Sequence, residues 1–314
     1  MYNIAIMGCG KIAPRIANGI IYSDGLLYAV ASRDKERAKA FALKYPTCKF
    51  MNYEELLADE KVDLIYIATI NETHYDLIKR CLNAGKNVIC EKPMLPTQEK
   101  IREVFALARE KGCFLMEAHK TCFTVLNTLL RTRVEEIGPI QRIEAKYCGD
   151  IDVSKLKGNI SMEPTMGGAC FDIGVYPICF ANLYAKSPLT NVEIVSTESL
   201  GYPVDIETVA KLTYENGIVA DVKASWRDPT VNKGILYGEK GRIEIVNFWK
   251  NTEATIYIGD TVETVKVEQA SDFTGEVNEA LRCLKEGKLT SDIMSEEASL
   301  EICKVLEELK KHYQ

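Results

Sequence analysis

The chain has 314 residues, more than one small core organises, and fits about two domains at roughly 100–200 residues each. A hydrophobic share of 46% and a charged share of 27% exclude a disordered chain. With 39 Lys and Arg against 45 Asp and Glu, the net charge of −6 excludes the basic face that sequence-independent nucleic-acid binding needs. No apolar run approaches the ~20 residues of a membrane helix, and Met1-Tyr2-Asn3-Ile4 starts no signal-type segment, so a cytoplasmic protein without membrane contact is expected. The 11 cysteines form no C-x-x-C pair, and His74, His119 and His312 lie far apart, so reduced buried thiols and no metal are expected.

In chain order, Ile4–Met7 reads as a strand and Lys11–Tyr22 as a helix with Ile12, Ile16 and Ile20 on one side. Leu27–Ala31 is a second strand, and Lys35–Tyr45 is helical. Leu64–Ala68 is a buried strand, Asp76–Asn83 a helix ending at Gly85, and Val88–Cys90 a strand. Gln98–Lys111 is a helix ending at Gly112, followed by the strand Phe114–Met116. This alternation predicts a parallel sheet covered on both faces, a dinucleotide-binding α/β domain over residues 1–120. Beyond it the pattern changes. Thr121–Glu136 and Gly168–Tyr184 read as helices, and Ile140–Tyr147 alternates with period two. Several alternating runs fill Asn191–Val267, punctuated by the hairpin signals Glu215-Asn216-Gly217 and Gly238-Glu239-Lys240-Gly241. Helices return at Glu276–Glu286 and Glu296–Lys310. Residues 121–314 therefore form an α+β domain with a large open, mostly antiparallel sheet, expected to bind substrate and form dimers; its last helices are free to pack back on the first domain.

Gly8-Cys9-Gly10-Lys11-Ile12-Ala13 is a G-x-G-x-x-A turn placed after the first strand and before the first helix. Gly8 permits the tight turn, Gly10 lets a pyrophosphate approach the backbone, and Ala13 allows close packing. In this context the motif reads as a dinucleotide site. The second strand ends in Ser32-Arg33-Asp34. An NAD enzyme usually has an acid there; a hydroxyl and a guanidinium suit the 2′-phosphate of NADP, and Asp34 caps the next helix.

Glu91-Lys92-Pro93 follows a strand at the ligand-binding edge of the sheet, where Lys92 is held extended by Pro93. By spacing alone the default reading of Lys92 is a surface lysine. Gly167-Gly168-Ala169-Cys170-Phe171-Asp172-Ile173-Gly174-Val175-Tyr176 places a carboxylate and a phenol four apart in an otherwise apolar helix. By themselves they read equally as a packed tyrosine and a carboxylate paired with a lysine.

Taken together, these segments resemble the glucose–fructose oxidoreductase/inositol dehydrogenase/MocA family over essentially the whole chain. Thr69, Asn71 and His74, and the run from Gly85 to Glu91, resemble the family's cofactor loop and following strand. The resemblance implies a Rossmann domain, a homodimer or dimer of dimers, and an NADP-dependent oxidoreductase acting on the carbinol carbon of a sugar, polyol or trans-dihydrodiol. It implies cofactor contacts at Gly8, Gly10, Lys11, Ile12, Ser32, Arg33, Thr69, Asn71, His74, Glu91 and Lys92. It also implies that Tyr176 is the acid/base, that Lys92 charges the reacting oxygen or itself donates the proton, and that Asp172 orients Lys92 or holds a substrate hydroxyl. Many members have His in place of Tyr176, with an acid four residues later; Tyr176 and Phe180 resemble the glucose–fructose oxidoreductase, dimeric dihydrodiol dehydrogenase and NADP-dependent xylose dehydrogenase branch. That branch often has an aromatic residue after Glu117-Ala118, where this chain has His119-Lys120, two residues expected in the substrate pocket. The same fold also serves non-catalytic NADP-binding regulators, a reading that predicts loss of the lysine present here as Lys92.

Overall fold

Ile4-Ala5-Ile6-Met7 carries no charged or hydrogen-bonding side chain, and in the computed structural model none of the four touches water. The run forms β1 (Asn3–Met7), an inner strand of a six-stranded sheet. The structure describes residues 1–312. Two units share the chain: Met1–Phe123 with Ala270–Ser299, and Thr124–Gln269 with the stretch from Leu300 onward.

In the first unit β1 is followed by α1 (Ala13–Ile21), β2 (Leu26–Ala31), α2 (Lys35–Ala42), β3 (Lys49–Met51), α3 (Tyr53–Ala58), β4 (Leu64–Ile67), α4 (His74–Asn83), β5 (Asn87–Glu91), α5 (Gln98–Lys111) and β6 (Leu115–Ala118). The strands are parallel in the order β3-β2-β1-β4-β5-β6. The winding reverses between β1 and β4, so loops leaving their carboxyl ends diverge and open a crevice there. Helix α1 begins at Ala13, with Pro14 in its first turn, where a missing N–H breaks no helical bond. The Asp34 carboxylate accepts the Glu36 N–H at 3.0 Å and caps α2, as expected. The sequence reading passed over β3 and α3. Both are short, and α3 is marked mainly by its capping box, Asn52 with Glu55.

The second unit contains α6 (Val125–Arg133), β7 (Ile140–Cys148), α7 (Val175–Ala185), β8 (Leu189–Glu198), β9 (Glu207–Tyr214), β10 (Val219–Ser225), β11 (Lys233–Gly238), β12 (Gly241–Val246), β13 (Glu253–Ile258) and β14 (Thr261–Lys266). Its eight strands run β14-β13-β12-β11-β7-β10-β9-β8, antiparallel except for β7 beside β10. Both expected hairpins form, joining β9 to β10 and β11 to β12. Helix α7 is apolar on nearly every side and packs on the sheet; the Phe180 ring lies over Gly234, where a Cβ would fall 2.7 Å from it. The chain then returns to the first unit through α8 (Thr274–Lys285) and ends in α9 (Glu296–Lys310). Gly19 of α1 meets Phe273, just before α8, so closely that a Cβ on Gly19 would lie 2.5 Å from the Phe273 Cβ. The 11 cysteines are thiols outside any disulfide. Among the described residues, no helix is long and apolar enough to cross a membrane.

Candidate active site

At the carboxyl end of β1 the chain turns through Gly8, whose φ is +119°. A Cβ there would lie 2.5 Å from the Ala68 carbonyl oxygen beyond β4, so only glycine fits. Gly10 is exposed, and a Cβ on it would meet nothing nearer than 3.7 Å, leaving the outer side of the turn open to a ligand. Lys11 is exposed and Ile12 half-buried at the start of α1, whose N-terminus has no side-chain cap. Its N–H groups and dipole suit a pyrophosphate.

Ser32 is buried at the end of β2, its N–H donating to the Met51 carbonyl at 3.2 Å, and Arg33 is exposed beside it. Arg37, one helical turn later, reaches back to the Cys9 carbonyl at 3.5 Å. Burial pushes the Tyr53 phenol up against the opposing pull of Arg33, Arg80 and Arg37, three guanidiniums that share its surroundings. This basic rim fits the phosphates of a dinucleotide. Arg37 and Tyr53 were not among the expected contacts. The four-residue spacing from Arg33 was a readable signal for Arg37; no local pattern marks Tyr53. Among the described residues, no group of His, Cys, Asp or Glu could hold a metal ion.

Lys92 stands half-buried just beyond β5, and the Lys92–Pro93 peptide is cis. The backbone after it is clamped from two directions. The Met94 N–H donates to Glu117 Oε1 at 2.9 Å, and the Met94 carbonyl lies 3.2 Å from His74 Nδ1. His74 Nε2 lies 3.3 Å from the Thr69 carbonyl, so one imidazole ties the loop after β4 to the segment that carries Lys92. Thr69 and Asn71 stay half-buried on that loop. His74 itself is wholly buried, and burial lowers its affinity for a proton against the pull of both carbonyls. It braces the loop after β4 against the segment that carries Lys92.

His119 and Lys120, expected in the substrate pocket, are both buried in this structure. The His119 ring has no exposed surface and lies 3.3 Å from Glu117 Oε1. Burial raises the Glu117 carboxyl, yet His119, Ser299 and the Met94 N–H together hold it below its usual range. Lys120 is 6% exposed, pairs with Asp272, and lies over the Phe273 ring. Asp272 also accepts from Arg15 of α1 at 2.6 Å. Glu91 joins a second polar group: the Tyr66 hydroxyl lies 2.8 Å from Glu91 Oε1 and 2.7 Å from Glu276 Oε1.

In the second unit, Asp172 and Tyr176 depend on a glycine pair and a buried acid. A Cβ on Gly167 would fall 2.4 Å from the Ser161 carbonyl, and Gly168 has φ +103°. Asp205, wholly buried, accepts the Cys170 N–H at 2.9 Å and the Thr208 hydroxyl at 2.8 Å, while its carbonyl accepts the Ala169 N–H at 2.9 Å. This anchors the start of the helix over a core of Met162, Ile173, Val204, Ile206 and Trp226. Asp205 escaped the sequence reading because no spacing connects it to Cys170. The first turn, Cys170–Gly174, is π-helical, not the regular α-helix expected, and it carries Asp172 exposed to solvent. Tyr176 follows on α7, half-buried, its ring 5.5 Å from Tyr147 and 6.3 Å from Trp249; those two rings stack at 3.7 Å.

The model of an oxidoreductase family with an NAD-binding Rossmann fold, GFO/IDH/MocA, matches residues 2–119. The model of the GFO/IDH/MocA C-terminal domain matches residues 130–244. A trans-1,2-dihydrobenzene-1,2-diol dehydrogenase from Xenopus laevis is 30% identical over 303 residues, 91% of this chain and 89% of that protein. A scyllo-inositol 2-dehydrogenase (NADP(+)) from Bacillus subtilis is 30% identical over 320 residues, 99% of this chain and 97% of its own. A 3-ketoreductase from Actinomadura kijaniata, solved with NADP and TDP-benzene, shares the fold with a TM-score of 0.84 at 24% identity, covering 99% of this chain and 97% of its own.

Proposed function

The chain belongs to the GFO/IDH/MocA oxidoreductase family, and on that premise we propose that it is an NADP-dependent dehydrogenase or reductase acting on a carbinol carbon of a sugar, polyol or trans-dihydrodiol. The observation that carries the reading is Lys92. It directly follows β5, at the ligand-binding edge of a dinucleotide fold, and its segment is clamped by His74 and Glu117 through Met94. The choice of NADP rests on Ser32, Arg33 and Arg37, which supply a hydroxyl and two guanidiniums where an NAD enzyme usually has an acid. The names of two 30%-identical relatives, a trans-diol and an inositol dehydrogenase, support vicinal hydroxyls as the substrate class.

When bound, NADP supplies the hydride acceptor. The turn from Gly8 to Ile12 and the N-terminus of α1 would hold its pyrophosphate. Ser32 and Arg33 would hold the 2′-phosphate, and Thr69, Asn71 and Glu91 would contribute further cofactor contacts. Tyr176 takes the alcohol proton. Its phenol is a weak base near pH 7, and the Lys92 ammonium would stabilise the alkoxide as it forms. Asp172, solvent-exposed on its π turn, binds a neighbouring substrate hydroxyl.

Lys92→Ala tests the proposal. On a panel of inositols, aldoses and trans-diols with NADP, kcat should fall by roughly 10²–10⁴-fold. NADP affinity should stay close to that of the parent, since phosphate contacts supply most of it. Turnover within a few-fold of the parent would remove Lys92 from the chemistry.

A further inference from the structure

The Tyr66 hydroxyl has one proton and two carboxylate neighbours, Glu91 Oε1 at 2.8 Å and Glu276 Oε1 at 2.7 Å. Two oxygen–oxygen contacts of this length need two hydrogens, because facing lone pairs repel. The hydroxyl supplies one; a carboxyl must supply the other. The group Glu91–Tyr66–Glu276 therefore retains a proton.

The surroundings decide which carboxyl holds it. Glu276, on α8, is 1% exposed, and its Oε2 is buried without a hydrogen-bond partner. An ionised carboxylate left in that state is strongly disfavoured. Glu91 is half-buried at the end of β5, accepts from the Lys92 N–H, and feels the charges of Lys92 and Lys120. Lys120 also acts on Glu276 and favours its ionised form, but its ammonium is paired with Asp272, whose own charge opposes ionisation of Glu276 and which is tied to Arg15 of α1 as well. Burial raises both carboxyls, Glu276 well above the usual range, while Lys92 and Tyr66 draw Glu91 back.

We infer that Glu276 holds the proton and donates it to Tyr66, that Tyr66 donates its own to the Glu91 carboxylate, and that both are positioning residues for the charge beside Lys92. A phenol that accepts one hydrogen bond donates a stronger one, so the neutral acid polarises the hydroxyl toward Glu91. Glu91 then stays anionic one residue from Lys92 and places a fixed counter-charge beside the ammonium on which the proposed reaction depends. This inference rests on the proposed role of Lys92.

Two measurements test it. In the unliganded protein at neutral pH, a difference infrared spectrum of parent minus Glu276→Gln should contain the C=O stretch of a protonated, buried carboxyl, with a shift in D2O. Absence of that band overturns the assignment and needs no substrate. For turnover, Tyr66→Phe removes the donor to Glu91 and keeps the ring. Without its donor Glu91 takes a proton more readily, so the acidic limb of the pH–rate profile should move to higher pH. At neutral pH, kcat should drop roughly 10- to 100-fold with NADP binding little changed. Glu276→Gln, which keeps a donor in place, should shift the limb less than Glu276→Ala. An unmoved limb in Tyr66→Phe overturns the positioning role. A fully active Lys92→Ala also overturns it, while the infrared band still reports whether the proton resides on Glu276.

Discussion

The Oδ1 atom of Asp205 occupies the space that a side chain on Gly168 would enter: a Cβ built on Gly168 lies 2.1 Å from it. The same carboxylate receives the Cys170 N–H, so one residue both requires the glycine and starts the helix that carries Tyr176. Gly168→Ala should destabilise the protein by more than about 1 kcal/mol, since it combines this overlap with a φ of +103°. In an Asp205→Ala background the overlap is gone and only the backbone strain remains. Urea unfolding of the two single variants and the double variant reads the coupling. Strict additivity would separate Gly168 from Asp205.

His74 makes stability depend on pH. Its imidazole is buried and its proton affinity lowered, so the folded protein takes up that proton later than the unfolded chain does. Stability is therefore fully present above the ordinary imidazole value of about 6.5, and it falls as pH drops from there toward the lowered value. The slope contributed by this one group is at most about 1.4 kcal/mol per pH unit. His74→Gln, which cannot titrate, should flatten that part of the urea-midpoint profile. An unchanged profile would assign the pH dependence to other groups.

Arg33→Ala should weaken NADP far more than NAD, because only NADP carries the 2′-phosphate. Losing a charge-assisted contact amounts to roughly 1.5–3 kcal/mol, about 10- to 150-fold. Arg37→Ala should act in the same direction, and fluorescence titration of both cofactors against all three proteins reads the effect. Equal losses for NAD and NADP would mean that the guanidiniums pack against the adenosine and do not read the phosphate.

Tyr176→Phe keeps the ring that packs near Tyr147 and Trp249, so the melting temperature should be little changed. Removing the hydroxyl should lower kcat by at least ~10²-fold and shift or abolish the basic limb of its pH profile. Tyr176→His should recover part of the activity with the profile moved toward neutral pH, as befits an imidazole. An active Tyr176→Phe enzyme with an unshifted profile would leave Lys92 as the proton donor.

The elements that the sequence declared most plainly were those whose signals are local. Ile4–Met7 is apolar throughout, and Leu64–Ala68 is so apart from the Tyr66 hydroxyl, because both faces of a parallel strand are covered, and Gly8 marks a turn whose backbone only glycine tolerates. Asp34 announced itself as a cap because its partner, Glu36, is two residues away. Asn216-Gly217 announced a hairpin for the same reason, the turn chemistry being contained in the turn. Motif order along the chain was enough to indicate the family, since the glycine turn, Glu91-Lys92-Pro93 and Gly167–Tyr176 each carry their own signature.

Other features depended on partners far away in sequence. His74 and Glu117 both act on Met94, 20 and 23 residues away, and Asp205 acts on Cys170 across 35. Tyr66 meets Glu276 across 210 residues, a contact no periodicity encodes. The burial of His119 and Lys120 belongs to the same class: each is a polar side chain just after a strand, and only the family resemblance gave an expectation for them. Whether such a group faces solvent depends on which distant carboxylate, here Glu117 or Asp272, compensates for its loss of water. The sequence by itself determined which backbone turns and strands could form, because those are properties of neighbouring residues. The tertiary structure alone decided which polar groups face a ligand and which brace the loops beneath it, because the free energy of a buried polar group is set by partners that the fold brings from elsewhere in the chain.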